Sequence, residues 1–243
     1  MKDGSSCNAE PVSTPWHLLA MHGWGSDQRA WHGFWRGCEQ RGWPLERLER
    51  GYGRFNPATP DWPNKEQGRR ALLINSLGLH LVPAATLAAA DAVVLLASFG
   101  RFVPSGAPGR PLRQALKSMD QRLLNGELQA LFADFRQRVA EPQDPDLMPP
   151  GIEDGPISEA SLERLRHDLA LLASCDGLPS TFPTTVPVLI VEAGADAIVH
   201  PLSRQALREA LPQAEVLTLA GIGHGLMLPT LPGQVLQWIE DLP

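Results

Sequence analysis

"RRALLINSLGLHLVP" (69–83) changes character at its middle. Residues 71–74, Ala-Leu-Leu-Ile, form the unbroken apolar run expected of a strand with helices on both faces. Asn75-Ser76-Leu77-Gly78 then reads as a sharp turn, and the residues after it as a helix, with Pro83 at a kink or at the helix end. A serine at such a turn has two readings. It caps the helix through its side-chain oxygen, or it is presented as a nucleophile, for which the usual pattern is G-x-S-x-G. Gly78 supplies the trailing glycine, whereas Ile74 stands where the leading one is usual.

The flanking sequence repeats the strand-then-helix rhythm. "WHLLAM" (16–21) runs into the glycine-containing loop "HGWGSDQ", which opens a helix at Asp27 or Gln28. In that helix Ala30, Phe34, Gly37 and Cys38 fall at helical spacing, and Gly42 can end it. "PLERLERG" (44–51) gives a second short strand, followed by a long loop with room for at most a short turn of helix. "DAVVLLAS" (91–98), "VPVLIVEAG" (186–194) and "EVLTLA" (215–220) complete the strands, the last two preceding helices at 202–211 and 232–241. Between the fourth and fifth strands, helical periodicity dominates over 110–140 and 158–174, with a proline- and acid-rich loop between them. This alternation predicts an α/β fold with a mainly parallel sheet of about six strands and an inserted α-helical cap. The expected boundaries are a flexible tail over 1–15, a core over 16–100 and 184–243, and a cap over 101–183.

Composition narrows the classes further. The 243 residues suit one large domain, and 43% hydrophobic with 20% charged residues is a soluble globular balance. A formal charge of −6 argues against general affinity for nucleic acid. Cys7, Cys38 and Cys175 are odd in number and far apart, which indicates neither a disulfide framework nor a zinc site. No leader pattern and no apolar stretch long enough to span a bilayer is present, so the expectation is a cytoplasmic protein.

In open α/β sheets, ligands bind beyond the carboxyl ends of the strands. The residues placed there are His22-Gly23-Trp24-Gly25 after the first strand, Ser76 after the third, Asp196 after the fifth and His224 after the last. Ser, Asp and His thus share one sheet edge, in the order expected of α/β-hydrolases. Alone, Asp196 also reads as an N-cap for the helix near Pro201. Gly223 and Gly225 leave the His224 loop flexible unless another segment orders it.

With "LLAMHGWGSDQRAWHGFW", "GYGR", "NSLG", "ADAIVHP" and "GIGHGLML", the chain resembles capped α/β-hydrolases. More narrowly, it is similar to the carboxylesterases that cleave pimeloyl-acyl-carrier-protein methyl ester in biotin synthesis. The resemblance covers the core over roughly 16–100 and 184–243, and the cap only in position and character. It implies Ser76 as nucleophile, His224 as base and Asp196 as the group that orients the base. It implies an oxyanion hole of the Leu77 and Trp24 backbone N–H groups, one such donor being worth about 10²–10³ in turnover, with His22 supporting that loop. It implies an acyl-carrier protein as partner; beside it, the expectation is a monomer, with no cofactor and no metal.

The cap adds two candidate features. Arg101, Arg110, Arg113 and Lys117 lie in a stretch without acidic residues, and read either as a carrier-docking surface or as a solvated helix face. Phe132 and Phe135 fall on one helix face, and read as substrate-channel residues with Trp24 or as cap core. Rival functions are a broad carboxylesterase or thioesterase, a capped C–C lyase of the menaquinone type, and a catalytically silent binding protein. The last is motivated by Ile74, which at this turn predicts a displaced helix, a bent strand end or an unformed turn.

Overall fold

The computed structural model describes residues 15–64 and 68–243. Residues 1–14 of the expected tail, and Cys7 with them, lie outside the described residues.

Six strands form one sheet: β1 (Trp16–Met21), β2 (Leu45–Leu48), β3 (Arg69–Asn75), β4 (Ala92–Leu96), β5 (Val188–Ala193) and β6 (Glu215–Leu219). Their order is β2-β1-β3-β4-β5-β6 and every neighbouring pair is parallel, as the continuous apolar runs require. The chain steps one way from β1 to β2 and the other way from β3 onward. This reversal puts a crevice beyond the ends of β1 and β3.

Alternate strand residues feed two cores. Leu18, Ala20, Ala71, Leu73, Val94 and Val191 face α1 (His32–Arg41) and α8 (Leu231–Glu240). Leu19, Leu72, Ile74, Val93, Leu95 and Ile190 face α2 (Gly78–Leu81), α3 (Ala84–Ala88) and α7 (Pro201–Ala210). As expected, α1 buries Phe34 and Cys38 and is closed by Gly42, although it is preceded by a 3-10 turn over Gln28–Trp31 that Asp27 caps.

One expectation needs correction. The second strand is four residues long rather than eight, because the chain turns after Leu48 to make an isolated antiparallel bridge between Glu49 and Ala58. The helix after Ser76 ends before Pro83, one of the two places expected for that proline. Val82 and Pro83 are extended, with ψ of 132° and 138°, since a residue before proline is pushed out of the helical region. The loop after Glu49 carries no helix among its described residues, and residues 65–67 lie outside them.

Between β4 and β5 the chain builds α4 (Arg110–Leu124), α5 (Leu128–Ala140) and α6 (Glu159–Ser174). Their buried residues, including Leu116, Phe132, Leu165 and Leu169, form a third cluster with Trp24, Tyr52 and Leu77 from the loops of the sheet edge. Asp168 is fully buried on the same face of α6. It accepts two hydrogen bonds from Arg50, at 2.7 and 2.8 Å, and one from Tyr52 Oη at 2.6 Å. A buried carboxylate is tolerated only with such pairing, so this contact fixes the cap against the loop that follows β2.

The Cys38 thiol lies between α1 and the sheet. Burial pushes its pKa up to about 12, against a smaller lowering by Arg41. Folding therefore favours the neutral thiol. Its stabilising contribution is complete below the ordinary thiol pKa of about 8.5 and is lost as pH rises toward 12. Maleimide at pH 8 is expected to leave Cys38 unmodified in the native protein and to label it after urea unfolding. Peptide mass spectrometry reads the difference.

Candidate active site

The turn after β3 is sharp because Ser76 adopts a left-handed backbone, φ 52°. For a residue with a Cβ this costs about 1–2 kcal/mol. The end of β4 holds the turn in place. Ser76 N donates to the Leu96 carbonyl at 2.9 Å, and Ser98 Oγ donates to the Ser76 carbonyl at 2.7 Å. Gly78 permits the close approach of α2, since a Cβ there would sit 2.6 Å from the Met21 carbonyl oxygen. Ile74 does not prevent the turn. It stays in register with Met21 and Leu95, and its side chain is fully buried among the apolar residues on the α2 side of the sheet.

His224 and Asp196 reach the same point from later strands. His224 Nε2 is 3.1 Å from Ser76 Oγ, and His224 Nδ1 is 2.9 Å from Asp196 Oδ2. With Nδ1–H donating to the carboxylate, Nε2 is left to accept the serine hydroxyl proton. Asp196 Oδ1 accepts from the N–H groups of Ile198 and Val199, at 2.8 and 2.9 Å. Burial pushes the Asp196 carboxyl up, but the charge and hydrogen bond of His224, with these two amides, more than offset it. The group lies below its ordinary value. The N-cap of α7 is His200, whose Nδ1 accepts from Leu202 N at 3.1 Å, so Asp196 does not serve as that cap.

The loop after β1 closes over the serine. At Gly23 a Cβ would lie 2.9 Å from Ser76 Cβ. His22 Nδ1 lies 2.9 Å from the Gly23 carbonyl oxygen and holds that peptide. Because C=O and N–H of a trans peptide point in opposite directions, this turns the Trp24 N–H away from His22. Among the described residues, no group accepts a hydrogen bond from the Trp24 or Leu77 N–H. His22 in turn rests on Glu49, with Nε2 3.2 Å from Oε1. Glu49 also accepts from Gln28 N and Gly51 N, both at 2.9 Å.

Ser76 and His224 open into a cavity of about 590 Å³ whose walls are mostly apolar. Trp24, Phe132 and Phe135 all line it. The indole of Trp24 stacks on Phe132, centroids 5.7 Å apart, meets Phe135 edge-on at 5.1 Å, and donates to the Leu165 carbonyl at 2.9 Å. Phe132 lines the cavity and is also 2% exposed within the cap cluster. Arg101, Arg110, Arg113 and Lys117 do not line the cavity. Arg110, Arg113 and Lys117 are exposed on α4, whose Leu112, Leu116 and Met119 face inward, and Arg101 is half-buried at the start of the cap.

Glu49 and Asp168 are the polar residues of this region that the sequence reading passes over. Asp168 leaves a signal, falling at apolar spacing with Leu165, Leu169 and Leu172. Glu49 leaves only its place after a strand of the same edge. Among the described residues, no group of three or more His, Cys, Asp or Glu side chains could hold a metal ion.

Asp196→Asn is expected to slow labelling of Ser76 by a fluorophosphonate probe by about 10⁴-fold, because an amide no longer enforces the imidazole tautomer that leaves Nε2 facing the serine. The depressed carboxyl also sets a direction in pH. Its stabilising contribution is present above the ordinary carboxylate value and is lost as pH falls through the lower folded value. Denaturant midpoints of wild type and Asp196→Asn should therefore converge on acidification, as a urea series at several pH values would show.

No protein-family model matches the sequence, and no curated protein matches it. Solved structures do. An esterase from Exiguobacterium antarcticum superposes with TM-score 0.71 at 13% identity, over 95% of this chain and 94% of its own. Bromoperoxidase from Bacillus anthracis gives 0.67 at 18% identity, over 94% and 93%. BioG from Haemophilus influenzae gives 0.57 at 13% identity, over 88% and 91%. Likeness at such identities establishes architecture rather than reaction. With its six parallel strands, the turn at Ser76 and the inserted helices, the chain has the α/β-hydrolase fold.

Proposed function

We propose that this protein is a serine hydrolase of carboxylic esters, and that its substrate is the methyl ester of pimeloyl-acyl-carrier protein. The observation that carries the reading is the line Ser76–His224–Asp196, at 3.1 and 2.9 Å, at the floor of an apolar cavity. Ser76 Oγ attacks the ester carbonyl as His224 takes its proton. The oxyanion is met by the N–H groups of Trp24 and Leu77. The intermediate collapses as His224 returns the proton to the departing methoxide, releasing methanol. Water, activated by the same imidazole, then cleaves the acyl-enzyme and frees the ω-carboxylate.

The cavity wall accounts for an extended apolar acyl chain. At the rim Arg138 is exposed and has no acidic partner among the described residues, and it suits an anionic group such as a carrier-arm phosphate. The exposed basic face of α4 suits an acidic carrier protein docking outside. The formed turn at Ser76 argues against the catalytically silent alternative. No helix among the described residues is long and apolar enough to cross a membrane.

The purified chain incubated with pimeloyl-carrier methyl ester should release methanol and the demethylated carrier product, followed by mass spectrometry. Ser76→Ala should be slower by about 10⁴-fold or more. Expression in a bacterium lacking its pimeloyl-carrier esterase should restore growth without biotin, and Ser76→Ala should not. Hydrolysis of p-nitrophenyl esters without demethylation of the carrier substrate would keep the esterase and discard the substrate.

A further inference from the structure

The loop that carries His224, Gly221-Ile222-Gly223-His224-Gly225, has three glycines and little to stiffen it from within. At Ile222 it is held from the core, the carbonyl accepting from Ala195 N at 2.9 Å, and on either side of His224 it is held from the cap. Gln143, just beyond α5, grips it with both ends of its side-chain amide. Nε2 donates to the Gly221 carbonyl at 2.6 Å, and Oε1 accepts from Gly223 N at 2.8 Å. On the other side of the histidine, Gly225 N donates to the Val139 carbonyl in the last turn of α5 at 2.9 Å. The N–H groups on both sides of His224, of Gly223 and Gly225, thus donate to residues 139–143. The two segments touch so closely that a Cβ at Gly223 would collide with the Glu141 carbonyl oxygen. Gln143 is itself fixed, its N–H donating to the Ala140 carbonyl at 2.8 Å.

We infer that Gln143 is a positioning residue for His224, and that through it the cap holds the general base in line with Ser76. The inference rests on the proposed roles of Ser76 and His224. Gln143 does not line the cavity, so it acts through the loop and not on the substrate. Its amide matches the loop because it offers one donor and one acceptor side by side, to a carbonyl and an N–H two residues apart. The same helix reaches the opposite side of the serine, where Phe132 and Phe135 pack on Trp24. α5 therefore touches both the loop of the base and the loop of the oxyanion donor.

Gln143→Ala tests this in the full chain with a fluorophosphonate probe, a short p-nitrophenyl ester and amide hydrogen exchange. The labelling rate of Ser76 and kcat should each fall by about tenfold or more, the cost of a misplaced catalytic group. KM should stay unchanged and the melting temperature should move by no more than about 3 °C. Exchange of the amides over 221–225 should accelerate. Gln143→Glu, which still accepts from Gly223 N but cannot donate to the Gly221 carbonyl, should fall between wild type and Ala. Labelling and exchange equal to wild type would overturn the inference, as would losses that appear only with a large drop in melting temperature. Should wild-type Ser76 take no label, the esterase reading fails. The exchange result then decides the clamp alone, unchanged exchange overturning it.

Discussion

The left-handed turn at Ser76 is the constraint to which the surrounding architecture answers. A residue with a Cβ does not hold φ 52° unaided. Hydrogen bonds from the end of β4, each worth about 0.5–1.5 kcal/mol net, offset the cost. The turn also demands room. Gly78 lets α2 approach the end of β1, and Gly23 lets the oxyanion loop approach the serine. These contacts need β1, β3 and β4 to be adjacent and parallel, ending at one edge, which is what the sheet order provides.

Legibility in the sequence follows from how local each cause is. The strands were readable because burial on both faces forces continuous apolar runs such as Val93–Leu96. Ser76, Asp196 and His224 were readable because topology sends strand ends to one edge. Ile74 shows the limit of a local pattern. A small residue is usual there, yet the turn forms with isoleucine, because β3 stays in register and Ile74 joins a core of strand and helix side chains. Nothing in residues 69–83 reveals that core. The length of the second strand is illegible for the opposite reason. There a local contact, the bridge from Glu49 to Ala58, interrupts a pattern that continues in the sequence.

The polar supports were least legible, since each joins segments far apart in the chain. Glu49 ties the loop after β2 to His22 and Gln28, and Asp168 ties α6 to Arg50 and Tyr52. Both are buried carboxylates, and both take several hydrogen bonds, which is the condition for burying such a group at all. Burial also pushes the Tyr52 hydroxyl pKa well above its ordinary value, with Asp168 adding to the rise, so Tyr52 remains a donor to that carboxylate. The loops of the crevice are thus held from behind by groups that face neither cavity nor solvent.

The glycines around His224 acquire a specific meaning from this arrangement. Read alone, they describe a loose loop, which is a poor place for an imidazole whose nitrogen lies 3.1 Å from a serine hydroxyl. In the fold they are what allow the loop to lie against the backbone of residues 139–141. The flexibility is used up by contact, and the order that the loop lacks in its own sequence is supplied by Ala195 after β5 and by an insertion some eighty residues earlier. A cap attached in this way is more than a cover for the cavity. Since α5 bears on Trp24 at one end and on the His224 loop at the other, a displacement of the cap would disturb both loops beside Ser76 together. The apolar wall beside Phe132 and Phe135 and the order of the His224 loop thus depend on the same helix.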